Sequence, residues 1–147
     1  MSPFELGPMN HVGIAVPDVV AAAQHYQTVF GINDISEIIS MPERGIKIIF
    51  VKTPSGQLEL IEAVGDISPI RAFMDKHPNG GQHHICFEVD NIHDAIAELK
   101  QRGVATLSEP FTGALGTPIV FLDPDDMGGV LIELMEPPVT SWPTRSH

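Results

Sequence analysis

The chain has 147 residues, 43% hydrophobic and 18% charged, with a formal charge of −11. That is one domain's worth of apolar material, and the acidic balance excludes nucleic acid and anionic membranes as partners, because phosphate binding draws on clustered Lys and Arg. The single cysteine, Cys86, excludes an internal disulfide framework. No stretch approaches the roughly 18 consecutive apolar residues of a membrane span. "MSPFELGPMNHVG" has neither the basic and apolar regions of a secretory signal nor the Arg-rich pattern of a transit peptide, so a cytoplasmic protein is expected.

Residues 1–8 read as an N-terminal tail. "HVGIAV", from His11, has strand character. Asp18 can cap a helix whose apolar side includes Val19, Ala22, Ala23, Tyr26 and Phe30, with Gly31 as its left-handed stop. "IKIIFV" and "GQLELIEA" read as strands. Ser68 and Pro69 look like the cap and first position of a linking helix over about 68–77, which the Pro78-Asn79-Gly80-Gly81 cluster ends. "HHICFEV" is again a strand. Asn91 can cap a helix with Ile92, Ala95, Ile96 and Leu99 on one side, and Gly103 follows it. "PIVFLD" and "GVLIELME" are strands, and residues 138–147 read as a Pro-, Ser- and Thr-rich second tail.

This order is a duplication. "HVGIAVPDVVAAAQHYQTVFGI" and "HICFEVDNIHDAIAELKQRGVA" each begin with His and a strand, then break, form a helix and reach a glycine. Each half closes on a strand carrying Glu, in "LELIE" and "IELME". The expected class is α+β: two tandem modules, about 9–64 and 82–137, in a single domain over 9–137.

Superposing the halves sets His84 on His11, 73 residues apart, and Glu133 on Glu59, 74 apart. His83 has no twin, and strand alternation sends it to the face opposite His84. Alternation also puts Glu59 opposite Leu58 and Leu60, and Glu133 opposite Ile132 and Leu134. A single Glu on the polar face of a strand is ordinarily solvated. The recurrence of both residue types in register points instead to a metal site: two imidazoles and two carboxylates suit Zn, Co, Mn, Ni or Fe(II). Cys86 reads as a buried thiol. His25, His77, His93 and His147 read as bystanders.

The segments "HVGIAVPDVVAAAQHYQTVFGI", "ISPIRAFMDKHPNGGQHHICFEVDNI", "ELKQRGV" and "GGVLIELMEPP" resemble the methylmalonyl-CoA epimerases of the vicinal oxygen chelate superfamily, over about residues 9–137. The resemblance implies paired βαβββ modules whose curved mixed sheets surround a metal cavity. It implies His11, Glu59, His84 and Glu133 as ligands of a divalent ion (Co, Mn, Zn or Ni), with Gln replacing the equivalent of Glu59 in some members. It implies a homodimer acting on an acyl-CoA, with C2 of methylmalonyl-CoA epimerised through a metal-stabilised enolate. Such chemistry needs a proton removed on one face and returned on the other. Glu133 resembles one acid/base.

The second acid/base is where the pattern departs. Some members carry Glu where Ile48 stands here, and isoleucine cannot move a proton. Glu43, in the "MPERG" turn, is the nearest carboxylate; Lys47 and a relayed water are alternatives. "GALG", Gly113 to Gly116, either borders the substrate or is a plain turn. In "FLDPDDMGG", Asp123 to Asp126 replaces a basic pattern common in the family. A glyoxalase-type isomerase or lyase, acting on another small carbonyl compound, is the alternative reading.

Overall fold

A computed structural model describes residues 4–138, which divide into two compact units: 11–83, and 4–10 with 84–138. The elements in chain order are β1 (Met9–Ala15), α1 (Val19–Phe30), β2 (Ile39–Met41), β3 (Ile46–Thr53), β4 (Gly56–Ala63), α2 (Arg71–Lys76), β5 (Gly81–Glu88), α3 (Ile92–Gln101), β6 (Phe111–Thr112), β7 (Pro118–Phe121) and β8 (Ile132–Met135). Two 3-10 turns, Pro42–Arg44 and Pro124–Asp126, precede β3 and follow β7.

In the first unit the strands run in the order β2-β3-β4-β1, with β1 and β4 parallel and the other pairs antiparallel. A parallel pair needs a crossover, and α1 is part of it. The helix packs on the side of the sheet carrying Leu60, Ile49 and Val51, burying Val19 and Ala23 there. The second unit repeats the plan: β5-β8-β7-β6, with β5 and β8 parallel, and α3 burying Ile92 and Ala95 against Val120, Ile132 and Leu134. These are the two βαβββ modules.

Helix starts follow the sequence. Asp18 accepts from the N–H groups of Val20 and Ala21, and Asn91 from that of Asp94. Gly31 ends α1 with φ 67°.

Three details differ from the sequence reading. The linking helix starts at Arg71: the Ser68 hydroxyl accepts the Ile70 N–H at 3.4 Å and its carbonyl accepts that of Arg71 at 3.1 Å, making a turn before the helix. Phe30 is 68% exposed despite its position on the apolar side of α1. Residues 4–8 do not hang loose. Gly7 donates to the Glu88 carbonyl at 2.8 Å, Pro8 accepts from the Glu88 N–H at 3.0 Å, and Phe4 packs on the α3 core. The second tail lies outside the described residues apart from Pro138.

Candidate functional site

Strand alternation decides which side chains face away from the helices. In the first unit Phe50 pairs with Glu59 and Ile48 with Ile61, so these four share the face opposite α1. Glu59 is only 7% exposed, which removes the solvated-carboxylate reading. From β1, the His11 Nε2 comes within 3.5 Å of Glu59 Oε1. The His11 ring stands edge-on to Phe50, centroids 5.9 Å apart at 70°.

The second unit builds the same arrangement from the same register. Phe121 pairs with Glu133 and Ile119 with Met135, opposite α3. Glu133 is 5% exposed, and its Oε1 lies 3.0 Å from His84 Nε2. The His84 ring stands edge-on to Phe121, at 5.5 Å and 89°. Cys86, two residues beyond His84, is fully buried on the same face beside Ile119 and Met135.

The sequence singled out all four of these residues but not the phenylalanines that pack on the imidazoles. The available signal was the repeat itself, which sets Phe121 on Phe50.

His11, Glu59, His84 and Glu133 are all buried, and each unit's His–Glu pair brings together an imidazole and a carboxylate that could hold a metal ion. The donor chemistry fits a divalent ion of borderline or harder character. Two carboxylates taken out of water are costly without compensating positive charge, which such an ion supplies.

The other singled-out residues lie as follows. His83 is half-buried with its ring edge-on to Phe73 at 5.2 Å, a packing role. His25, His77 and His93 are exposed, and His147 lies outside the described residues. Glu43 is exposed in the 3-10 turn leading into β3. Ile48 is 2% exposed on the Glu59 face. Lys47 points its ammonium at Glu62, 3.6 Å away. "GALG" connects β6 to β7: Gly113 donates to the Thr117 carbonyl at 3.0 Å, and a Cβ at Gly113 would meet Ile119 at 2.7 Å. In the acidic segment, Asp123 caps its own turn and Asp126 accepts the Ala105 N–H at 3.0 Å. Both carboxylates are engaged in structural bonds there, one within the turn and one to the chain after α3.

Comparison with known proteins agrees with this plan. The family model described as Glyoxalase/Bleomycin resistance protein/Dioxygenase superfamily matches residues 10–121. The human protein named "Methylmalonyl-CoA epimerase, mitochondrial" is 46% identical over 134 residues, 90% of this chain and 76% of that protein. The Cereibacter sphaeroides "Ethylmalonyl-CoA/methylmalonyl-CoA epimerase" is 43% identical, covering 88% of this chain and 97% of its own. The crystal structure of methylmalonyl-CoA epimerase from Mycobacterium tuberculosis superposes with a TM-score of 0.84 at 28% identity, covering 93% of this chain and 92% of that one. The chain belongs to the methylmalonyl-CoA epimerase family, within the glyoxalase (vicinal oxygen chelate) superfamily.

Proposed function

We propose that this chain is an isomerase that interconverts the two C2 epimers of methylmalonyl-CoA, with a divalent ion held by His11, Glu59, His84 and Glu133. The observation that carries the metal reading is the twinned His–Glu contact, buried and in the same register in both modules. A bound divalent ion supplies positive charge where the thioester oxygen gains negative charge as the C2 proton leaves.

The protein's own groups then move the proton. The Glu133 carboxylate takes it from one face of C2. Glu43, in the Pro42–Arg44 turn before β3, returns a proton to the opposite face. His11 and His84 present Nε2 toward the carboxylates, so Nε2 is the atom each ring would offer the ion once its proton is displaced. The apolar neighbours Phe50, Ile48, Phe121 and Ile119 exclude water, which strengthens electrostatic stabilisation of the developing oxyanion.

Solvent deuterium incorporation at C2 of methylmalonyl-CoA by the metal-loaded protein tests this. Absence of exchange, with turnover of the methylglyoxal–glutathione hemithioacetal instead, would overturn it in favour of glyoxalase-type chemistry. Reconstitution with Co, Mn, Zn and Ni in turn identifies the ion. The reading extends to a cytoplasmic homodimer, checked by fractionation and sedimentation. Among the described residues no helix is long and apolar enough to cross a membrane.

A further inference from the structure

Each module carries a second glutamate three residues after the one that meets its histidine, and the two do the same thing. Glu62 Oε1 accepts the N–H of Val19 at 3.0 Å, and Glu136 Oε2 accepts that of Ile92 at 2.8 Å. Val19 and Ile92 are the first residues of α1 and α3, and both are fully buried. Their N–H groups are among the helix donors with no intrahelical partner. The N-cap residues do not take them, since Asp18 accepts from Val20 and Ala21, and Asn91 from Asp94. The strand glutamates complete the caps and set negative charge at the positive end of each helix.

The placement matters because of where these bonds close. An odd step along a strand reverses the face. Glu62 therefore projects to the α1 side while Glu59 projects to the His11 side, and Glu136 and Glu133 divide likewise. In each module the histidine strand and the glutamate strand run parallel, and the rungs beyond the ladder are Val16 N–H to the Ile61 carbonyl at 2.8 Å and Val89 N–H to the Met135 carbonyl at 2.9 Å. The next residue of each glutamate strand is Glu62 or Glu136. Its bond ties the chain leaving the histidine strand to the glutamate strand just past that last rung. A one-residue slip between these strands would turn Glu59 or Glu133 to the helix side and separate it from its histidine.

We propose that Glu62 and Glu136 are positioning residues for the metal centre, locking each crossover helix onto the carboxylate strand and so holding each His–Glu pair in register. This rests on the reading of those pairs as metal ligands. Glu136 is the cleaner test, since Glu62 also meets Lys47 at 3.6 Å.

The test is titration of the full-length apo protein with Co²⁺, read by its visible spectrum and dissociation constant, beside the melting temperature of each apo variant. Glu136→Ala and Glu136→Asp, whose shorter acid falls short of the Ile92 N–H, are expected to weaken Co²⁺ binding about tenfold and alter the spectrum. Glu136→Gln, whose amide oxygen still accepts that N–H, is expected to stay near wild type. If Glu136→Ala does not fold, the Asp and Gln variants still decide. A lowered melting temperature with wild-type Co²⁺ affinity and spectrum would overturn the proposal, leaving these bonds only structural. So would an Asp variant that binds like wild type beside a weak Gln variant, which would make charge alone the cause. A wild-type protein that binds no Co²⁺ overturns the metal reading and this inference with it.

Discussion

In the first module the His–Glu contact sits beside long strands, eight residues each in β3 and β4. In the second, β7 and β8 have four residues each and β6 has two. The contact is nonetheless 3.0 Å in the second and 3.5 Å in the first. Outer strand length therefore does not set the site. The shared parts do: a parallel strand pair, a crossover helix whose first turn is capped by its N-cap residue and by a strand glutamate, and a phenylalanine in register with the glutamate. The outer edges are where the modules part. One carries Glu43 in an exposed turn; the other carries a turn closed on Asp123 and Asp126. Twinned His–Glu pairs suit the proposed ion, whereas an epimerase must treat the two faces of C2 by different groups.

The largest expected effect tests whether Glu59 and Glu133, the two proposed ligand glutamates, are interchangeable. Glu133→Gln should lower the deuterium-exchange rate by about 10²–10⁴, while Glu59→Gln, which keeps an oxygen donor, should retain most of it. Equal losses would break the distinction between the modules. Core equivalence comes next: Leu60 and Leu134 are both essentially inaccessible, at 0% and 1%. Leu60→Ala and Leu134→Ala should each cost about 2–5 kcal/mol in urea unfolding, and a large disparity would show one module carrying the stability. Glu43→Gln should slow exchange about 10²-fold with Co²⁺ affinity unchanged; an unaltered rate would assign the second proton transfer to another group. Smallest are the caps. Asp18→Ala and Asn91→Ala should each cost about 1 kcal/mol by thermal unfolding, and matching values would extend the symmetry to helix initiation.

The duplication was legible as a repeated segment, and the starts of α1 and α3 and the inward direction of Glu59 and Glu133 were legible as local pattern. The failures share a cause. Periodicity put Phe30 on the apolar side of α1 but says nothing of how far the partner surface extends, and Phe30 is exposed. Ser68-Pro69 carries helix-start chemistry, yet one turn comes first. The partners of Glu62 and Glu136 lie 43 and 44 residues back along the chain, a distance at which a hydrogen bond leaves no local pattern. The repeat marked both residues as equivalent without saying what they bind.

The edge-on packing of His11 on Phe50 and of His84 on Phe121 bears on what happens before any ion arrives. Each imidazole is buried and wedged against a ring, so its rotamer freedom is already lost on folding. Ion binding then has little side-chain ordering left to do. Zinc fingers, by contrast, fold only when metal assembles the ligands. Treatment with a chelator should stop the proposed chemistry here yet leave the fold standing, so the apo protein is a preformed receptacle for the ion rather than an unfolded precursor.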